Sequence, residues 1–467
     1  MKHFSFPYKA DDLVAISDGG NCLSMKELSL QAQRISALMG EKSLVLCLCQ
    51  NTIPCLVGYY AFLTGNHVAI MLDASKGTET YESYISNYNP GYIWTPENSD
   101  FPKNGWQEVL RYESYILLKT TTKQCDSLHP DLQLLLTTSG STGSPKLVRL
   151  SQKNLLSNAE SIAEYLGITD EERPITSLPM YYSYGLSVIN SHLIKGSTIL
   201  LTDKGIMQKE FWEFAKEQAA SSLAGVPYTY EMLRRLRVFR MDLPALKTFT
   251  QAGGKLKAEL VREFIEASQQ AGKRFIVMYG QTEATARMSY LPENNSLEKY
   301  ASIGIAIPGG QFSLISADGA TITDADTEGE LVYTGSNVSM GYAECAADLA
   351  LGDENQGILR TGDLARRDID GYYYITGRLK RFVKIWGNRC NLDAVEQICK
   401  SVTSNCACTG VDDKITIYVT EDGHTEELLT RLTSKTGFNV RAFAVRRVDS
   451  IPKNEAGKVQ YAELSKL

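Results

Sequence analysis

The sequence lacks the long apolar segments of secreted and membrane proteins. Its first twelve residues, Met1 to Asp12, contain no apolar core of the kind found in a signal peptide. The best candidate for a membrane span, Cys55 to Leu72, is interrupted at its middle by Thr64, Gly65, Asn66 and His67. A buried helix followed by a strand explains this segment better. We therefore expect a cytoplasmic protein without a membrane span.

Long runs of one charge are also missing. The chain carries 48 basic and 54 acidic residues, which gives a net charge of −6. Because both signs are interspersed, there is no electrostatic reason to propose nucleic acid or an anionic membrane as a partner. A soluble metabolic protein fits this composition better.

Cysteine and histidine patterns argue against two further kinds of site. The ten cysteines include no Cys-x-x-Cys, and the pairs Cys47/Cys49 and Cys406/Cys408 have no nearby histidine to complete a zinc set. Only five histidines are present, and no Ser-His-Asp set is evident. We expect reduced thiols, as in a cytosolic protein.

At 467 residues the chain exceeds the usual size of one hydrophobic core, which predicts a large layered body plus at least one further domain. Capping residues and apolar periodicity predict alternating strands and helices. The predicted helices cover about 24–39, 52–64, 151–166, 209–219, 257–271, 392–400 and 425–433. The predicted strands cover about 43–49, 67–72, 91–95, 132–136, 197–202, 222–226, 246–251, 274–279, 414–420 and 441–448.

The pattern changes from about Gly304, where short segments separated by Gly, Pro and Asp favour an antiparallel β region. We place a domain boundary near Leu379. The predicted fold is therefore α/β: a large N-terminal body of layered α/β sheets plus a β region over residues 1–378, and a small α+β C-terminal domain over residues 379–467.

The most informative stretch runs from Leu132 to Lys146, where an apolar strand leads into a loop of hydroxyl residues and glycines. The loop residues assigned to phosphate binding are Thr138, Ser139, Gly140, Ser141, Thr142 and Gly143. Glycines let backbone N–H groups approach phosphate oxygens, hydroxyls add donors, and Lys146 supplies positive charge. The spacing is not that of a Walker loop. A flexible linker is the alternative, but the preceding strand and the helix start after the loop argue against it.

This loop resembles the phosphate-binding signature of the adenylate-forming superfamily, which includes acyl-CoA synthetases, luciferases and the adenylation domains of nonribosomal peptide synthesis. The resemblance implies that ATP converts a carboxylate into an acyl-adenylate, and that the acyl group usually passes to a thiol. Four more signatures follow in the family's order, so that the resemblance covers about residues 20 to 460.

The segment Tyr279-Gly280-Gln281-Thr282-Glu283 follows a predicted strand and resembles the family's Tyr-Gly-x-Thr-Glu pattern. The resemblance implies that Tyr279 stacks on adenine, that Thr282 bonds the α-phosphate and that Glu283 holds Mg²⁺. Gly280 and Gln281 are assigned to the nucleotide site with them. A carboxylate is the hard oxygen ligand that magnesium prefers. Taken alone, a turn with a solvated glutamate would explain the segment equally well.

Two further elements are assigned to the nucleoside by the same resemblance. The turn Ala252-Gly253-Gly254 would line the adenine pocket, although it also fits an ordinary turn. Asp363, in a Thr-Gly-Asp element, would accept hydrogen bonds from the ribose hydroxyls, and Arg378 would reach the ribose from the hinge side. A surface turn with a capping aspartate is the alternative for Asp363.

The segment from Pro452 to Lys458 resembles the family's terminal Pro-x-x-x-x-Gly-Lys pattern. By this resemblance Lys458 enters the active site and pairs with the substrate carboxylate and the α-phosphate, which offsets the repulsion between two anions. The expected catalytic residues are Lys458, Lys146 and Thr282. The alternative for Lys458 is a solvated lysine of the chain terminus.

The acyl side is assigned to the segment Pro179 to Gly185, where the family has an aromatic or histidine-bearing substrate loop. Tyr182, Ser183 and Gly280 are the predicted substrate residues. The segment contains no aspartate to pair with an α-amino group, which favours a fatty, aryl or other simple carboxylate.

The segment Lys384 to Gly387 is assigned to the tunnel for the thiol, again by resemblance. Trp386 is bulkier than the residues common there. Both free CoA and the phosphopantetheine of an acyl carrier protein are therefore open as acceptors.

We predict an ATP- and Mg²⁺-dependent ligase that forms an acyl-adenylate and then a thioester, acting mainly by positioning and charge stabilisation. Lys458 and the segment around Gly387 serve different steps, so the C-terminal domain is expected to reorient about a hinge near Lys380. A stand-alone amino-acid adenylation enzyme that loads a carrier protein is the alternative within enzymes. A non-catalytic nucleotide-binding protein is the alternative from another class.

Overall fold

A computed structural model of the chain describes residues 6–101, 104–122, 125, 127–137, 146–453 and 459–467, apart from the side chains of residues 380 and 389. The chain divides into two compact units. The first unit comprises Met1–Gln311 and Tyr333–Leu359, and the second comprises Phe312–Val332 and Arg360–Leu467.

The strands follow one another along both units. The first fourteen are β1 (Leu13–Ser17), β2 (Cys22–Ser24), β3 (Leu44–Cys49), β4 (Val68–Asp73), β5 (Tyr92–Pro96), β6 (Trp106–Tyr112), β7 (Tyr115–Thr120), β8 (Leu132–Thr137), β9 (Leu147–Ser151), β10 (Pro174–Ile175), β11 (Ile199–Leu201), β12 (Ser222–Gly225), β13 (Thr248–Gln251) and β14 (Arg274–Tyr279). They are followed by β15 (Ser289–Tyr290), β16 (Ile305–Ala306), β17 (Gly310–Ile315), β18 (Thr321–Ile322), β19 (Gly329–Gly335), β20 (Gly341–Ala343), β21 (Ile358–Arg367), β22 (Tyr373–Arg378), β23 (Phe382–Ile385), β24 (Asn388–Asn391), β25 (Cys406–Val411), β26 (Lys414–Val419) and β27 (Phe443–Arg447).

Helices connect many of these strands. They are α1 (Met25–Met39), α2 (Ile53–Thr64), α3 (Thr78–Tyr88), α4 (Gln152–Leu166), α5 (Ser183–Leu193), α6 (Lys209–Glu217), α7 (Pro227–Arg235), α8 (Ala258–Gln270), α9 (Leu392–Lys400), α10 (Thr425–Thr436) and α11 (Tyr461–Leu464). None of the described helices combines the length and the hydropathy needed to cross a membrane.

The first unit is built on two large sheets. One has the strand order β20-β9-β8-β4-β3-β5-β7-β6, and the other has the order β16-β15-β14-β13-β12-β10-β11-β1-β2. Strands β3, β4 and β8 run parallel, and all six residues of β3 are buried. Continuous burial is expected of parallel strands that are covered on both faces. The predicted α/β class is confirmed.

Several helices of the first unit begin where the sequence places a cap. The Ser24 hydroxyl accepts a hydrogen bond from the Glu27 N–H at 3.2 Å, and the Ser151 hydroxyl accepts one from the Asn154 N–H at 3.1 Å. The apolar segment that begins near Cys55 is the buried helix α2 followed by the strand β4, as predicted. Local capping therefore marks the first residues of α1 and α4.

The strand after the predicted phosphate loop was not foreseen. The sequence analysis predicted a helix start there, but β9 comes first and pairs antiparallel with β8, with Thr137 opposite Leu147. The wholly buried Arg149 breaks the apolar run of β9, and this explains why the pattern did not read as a strand. Strands β8 and β9 are therefore antiparallel neighbours, and α4 starts after β9.

A cluster of thiols lies in the core of the first unit. Cys47 and Cys49 on β3 and Cys55 on α2 are at most 2 % exposed, and their Sγ atoms all lie within 4.8 Å of one another. Burial raises the pKa of the Cys49 thiol. The spacing of Cys47 and Cys49 in the sequence indicates that these two thiols are neighbours. Cys55 joins the cluster only because α2 packs on β3.

The second unit contains a five-stranded sheet of order β18-β17-β19-β21-β22 and a three-stranded sheet of order β25-β26-β27. The predicted helix at 392–400 is α9, whereas β25 was not predicted. Because β21 and β22 share one sheet with β17, β18 and β19, the second compact unit includes residues 360–378, which the sequence analysis assigned to the N-terminal body. A functional hinge near Leu379 stays a prediction, and the side chain of Lys380 lies outside the described residues.

Candidate active site

Two of the predicted nucleotide segments leave neighbouring strands at the same edge of a sheet. Strands β13 and β14 are parallel and in register, with Gln251 opposite Val277. The turn at residues 252–254 and the segment at residues 279–283 therefore emerge side by side. In open α/β sheets this carboxyl edge is where ligands bind.

The segment after β14 folds back tightly on itself. A Cβ atom added to Gly280 would lie 1.6 Å from the carbonyl oxygen of Ala286, so no other residue fits without moving the backbone. The turn also brings Thr282 to the start of α5, where the hydroxyl oxygens of Ser183 and Thr282 are 3.1 Å apart. Thr282, predicted to contact the α-phosphate, thus touches Ser183, predicted to face the acyl group.

Four side chains from three segments of the first unit form a cluster that we call the Glu283–Lys146 cluster: Glu283, Tyr342, Lys146 and Glu344. The Tyr342 hydroxyl donates a hydrogen bond to Glu283 Oε1 at 2.8 Å. The Lys146 ammonium lies 3.9 Å from the centroid of the Tyr342 ring and 3.5 Å from Glu344 Oε1. The predicted phosphate lysine and the predicted magnesium ligand are therefore bridged by one tyrosine.

Tyr342 was not predicted from the sequence. It lies on β20, which pairs with β9 so that Tyr342 is opposite Val148 and Ala343 is opposite Leu147. Burial, together with the Glu283 charge, raises the pKa of Tyr342, which keeps the hydroxyl protonated as a donor. Its partners are remote in sequence, so no local pattern could have identified it.

The buried Arg149 side chain holds β20 in place. Its guanidinium donates hydrogen bonds to the carbonyl oxygens of Met340, Tyr342, Leu351 and Gly352, and it pairs with Glu354 at 2.5 Å. A buried charge with this many partners stabilises one backbone arrangement. Arg149 thereby supports the position of Tyr342.

A carboxylate that is oriented by a hydrogen-bond donor is suited to hold a hard cation. Glu283 supplies an anionic oxygen, and Tyr342 restricts the orientation of its carboxylate. The donor chemistry of Glu283 therefore fits Mg²⁺.

The predicted substrate loop is only partly a loop. Tyr182 is the N-cap residue of α5 and Ser183 is its first residue, so residues 183–185 are helical rather than irregular. Burial raises the pKa of Tyr182 to about 12. A Cβ atom added to Gly253 would lie 2.5 Å from the Tyr182 hydroxyl, so this hydroxyl packs against the predicted adenine turn.

Asn51 anchors the chain just before Tyr182. Its Nδ2 donates to the carbonyl oxygens of Leu178 and Thr202, and its Oδ1 accepts from the Met180 N–H at 3.1 Å. Asn51 follows β3 in one sheet, while Thr202 follows β11 in the other. The start of α5 is thereby fixed relative to both sheets of the first unit.

The predicted ribose residues lie in the second unit. Asp363 on β21 is directly opposite Arg378 on β22, and the Arg378 Nε donates to Asp363 Oδ1 at 3.0 Å. Asp363 is 3 % exposed, so its carboxylate is held rigidly. Asp363 and Arg378, both predicted to contact the ribose, thus form an ion pair.

The segment predicted to face the thiol forms the tip of a hairpin in the second unit. Ile385 is opposite Asn388, which leaves Trp386 and Gly387 as a two-residue turn with φ values of 47° and 85°. Positive φ at both positions is typical of a type I′ turn. The Trp386 N–H donates to Asp413 Oδ1 at 2.6 Å, and its residue is 52 % exposed.

Several predicted site residues lie outside the described residues. They are Thr138, Ser139, Gly140, Ser141, Thr142, Gly143 and Lys458. The residues that flank them are paired: Thr137 with Leu147 in the β8–β9 hairpin, and Lys453 with Val459 in an antiparallel bridge. The roles of the seven residues stay predictions.

Comparison with known proteins identifies relatives that match most of this chain. Residues 6–343 match the sequence model of the family described as AMP-binding enzyme. An oxalate–CoA ligase of Arabidopsis thaliana is 27 % identical, over 88 % of this chain and 85 % of the relative. A feruloyl-CoA synthase of an Amycolatopsis species is also 27 % identical, over 96 % of this chain and 95 % of the relative.

Solved structures share the fold. The o-succinylbenzoate CoA synthetase of Bacillus subtilis, in complex with its acyl-adenylate intermediate, has a TM-score of 0.77 at 21 % identity and covers 97 % of this chain and 95 % of its own. ATP-bound MatB from Rhodopseudomonas palustris has a TM-score of 0.77 at 21 % identity, with coverage of 98 % and 96 %. At this identity the likeness establishes the fold.

The family model covers most of the chain, and the relatives match it nearly from end to end. The resemblance stated from five sequence signatures is confirmed. The protein belongs to the AMP-binding enzyme family and is an acyl-CoA-ligase-like, adenylate-forming enzyme.

Proposed function

We propose that the protein uses ATP and Mg²⁺ to activate a small carboxylic acid as an acyl-adenylate and then transfers the acyl group to the thiol of CoA. In the first step a carboxylate oxygen bonds to the α-phosphorus of ATP and pyrophosphate leaves. In the second step the thiol sulfur bonds to the acyl carbon, AMP leaves, and the thiol proton is released to solvent.

The observation that carries this proposal is the convergence of four sequence-distant elements within the first unit. Lys146, Tyr342 and Glu283 form one cluster, and Thr282 beside Glu283 contacts Ser183 at the start of α5. The residues predicted to bind the phosphates and those predicted to face the acyl group thus lie next to one another at the end of β14. This is the arrangement that joining a carboxylate to a phosphate requires.

Each residue has a proposed role that follows from its chemistry. Lys146 would stabilise negative charge on the phosphates after exchanging its exposed partner Glu344 for a phosphate oxygen. Glu283 would hold Mg²⁺, which would neutralise phosphate charge when bound. Asp363 would accept from the ribose, and Lys458 would neutralise the approaching carboxylate.

The three alternatives differ in their support. A carrier protein remains open as acceptor because the exposed Trp386 at a hairpin tip could contact a protein surface as well as a free thiol. Amino-acid adenylation has less support, since residues 179–185 contain no aspartate for an α-amino group. The presence of Lys458, Glu283 and Asp363 in the sequence argues against a non-catalytic protein, which has no reason to keep all three.

Pyrophosphate exchange into ATP across fatty, aryl and amino acids tests the proposal. We expect Mg²⁺-dependent exchange with at least one acid class, its loss in Lys146→Met, and its retention in the matched control Lys153→Met, an exposed lysine on α4. Mass spectrometry with CoA and with a phosphopantetheine-bearing carrier then identifies the acceptor. ATP binding without exchange for any acid would favour the non-catalytic alternative.

A further inference from the structure

One buried charge in the described part of the chain has no counter-charge. Six charged residues there are at most 8 % exposed: Arg149, Arg287, Glu330, Asp363, Arg381 and Glu396. Five of them take part in ion pairs: Arg149 with Glu354, Glu330 with Arg360, Asp363 with Arg378, and Arg381 with both Asp393 and Glu396. Within the described ranges no carboxylate lies within 4 Å of the Arg287 guanidinium.

The contacts of Arg287 are neutral. Its Nε donates to the Ser187 hydroxyl at 3.1 Å, and its Nη1 donates to the Tyr165 hydroxyl at 3.3 Å. The guanidinium carbon lies 5.0 Å from the centroid of the Tyr184 ring. None of the residues that the structure describes accepts a hydrogen bond from Nη2. The guanidinium is thus fixed in orientation on one side and left without an acceptor on the other.

The unmatched nitrogen belongs to a residue that lines a cavity. Arg287, Val188, His192, Ala224 and Thr250 surround a space of about 20 Å³, which holds roughly one water molecule. Burial, together with the Arg287 charge, lowers the pKa of His192 to about 4, so the histidine adds no positive charge at neutral pH. Glu172 also lines this cavity, and its carboxylate accepts a hydrogen bond from the Ser221 hydroxyl.

Arg287 contacts the helix α5, whose first residues are predicted to face the acyl group. Its partner Ser187 lies one helical turn beyond Ser183 on α5, and Ser183 contacts Thr282. Arg287 itself follows Glu283 by four residues. Ser183 and Ser187 therefore lie on one face of α5, and Ser187 accepts the hydrogen bond from Arg287 Nε.

A buried guanidinium that lacks an anion is costly, and proteins normally pair such charges or use them to bind a ligand. A planar fork of donors matches a carboxylate. Resting on the proposed function, we propose that Arg287 binds a second carboxylate of the acid substrate, distant from the one that is activated, so that the enzyme prefers dicarboxylic acids. The distal carboxylate accepts from Nη2, while Ser187, Tyr165 and Tyr184 hold the guanidinium in place.

The test compares chain-matched acids in the exchange assay: butyrate with succinate, pentanoate with glutarate, and hexanoate with adipate. For the best diacid we expect kcat/KM at least tenfold above that of its monoacid, mainly through KM. Arg287→Met should abolish this preference by lowering the diacid value at least tenfold while the monoacid value is kept or rises. Arg262→Met, which removes an exposed arginine of α8, should keep the wild-type preference.

A second measurement does not depend on turnover. The best diacid alone should raise the Tm of the wild-type protein and of Arg262→Met, but not that of Arg287→Met. If Arg287→Met does not fold, Arg287→Lys keeps the charge without the fork and should retain only part of the preference. Equal kcat/KM for diacids and monoacids, or an unchanged preference in the Arg287 variants, overturns this proposal alone. Absence of exchange with every acid overturns the proposed function instead.

Discussion

Tyr342→Phe isolates one hydrogen bond of the Glu283–Lys146 cluster. The substitution removes the hydroxyl that donates to Glu283 Oε1 at 2.8 Å and keeps the ring beneath the Lys146 ammonium. Glu283 loses the donor that orients its carboxylate, whereas Lys146 keeps its contact. We therefore expect the effect to appear in the Mg²⁺ dependence of adenylate formation rather than in the binding of the acid.

The expected magnitude follows from the partners. A hydrogen bond to a charged group contributes about 1.5–3 kcal/mol, and partial exposure of this pair reduces the value. Tyr342 is 38 % exposed, so we take about 1–2 kcal/mol. At about 1.4 kcal/mol per factor of ten, this predicts a roughly 5- to 30-fold higher Mg²⁺ concentration for half-maximal exchange.

The assay is pyrophosphate exchange at saturating acid with Mg²⁺ titrated, beside Tm measurements. Tyr342→Leu also removes the ring under Lys146 and should lose more activity than Tyr342→Phe. Tyr228→Phe deletes a hydroxyl from an exposed tyrosine on α7 and serves as the matched control. A folded Tyr342→Phe protein with the wild-type Mg²⁺ dependence would refute the role given to this hydroxyl.

Three other outcomes are expected. Asp363→Asn should weaken ATP binding by about 1–3 kcal/mol, because the charged acceptor that we propose for the ribose is lost. Calorimetry that finds unchanged affinity would remove Asp363 from the nucleotide site. Lys458→Ala should raise the barrier to adenylate formation by several kcal/mol. The same variant should still convert supplied acyl-adenylate to thioester at a near-normal rate. Equal loss in both half-reactions of a folded protein would contradict domain alternation. Burial lowers the pKa of His67 to about 4. Between pH 6.5 and pH 4 the unfolded chain therefore binds a proton at this histidine that the folded chain does not bind. The free energy of unfolding is unaffected above pH 6.5 and decreases as the pH falls toward 4. Urea unfolding should therefore show up to about 3 kcal/mol of acid destabilisation that His67→Gln relieves, and identical pH profiles would contradict this.

The position of Tyr182 refines how its substitution should be interpreted. The sequence analysis assigned Tyr182 to the acyl side, and the structure brings its hydroxyl against Gly253 of the predicted adenine turn. The assignment to the acyl side stays a prediction. A variant at Tyr182 should therefore be assayed for acid preference and for ATP affinity together.

The sequence by itself determined the features that depend on near neighbours. Ser24 and Ser151 cap helices because each hydroxyl reaches the N–H group three residues ahead. The continuous apolar residues of β8 form a buried strand. The Tyr279 to Glu283 signature could be recognised from the sequence because its residues are contiguous. Such patterns identified the fold class and the family.

Only the tertiary structure decided which distant segments meet. β9 was missed because a buried arginine interrupts its apolar run, and Arg149 is buried only because β20 supplies carbonyl oxygens from far along the chain. Tyr342 and Arg287 were missed for the same reason. Tyr342 is notable because its hydroxyl contacts the Glu283 carboxylate, and Arg287 because no described carboxylate lies beside it. Contacts of this kind depend on strand order and helix packing, which no local periodicity encodes.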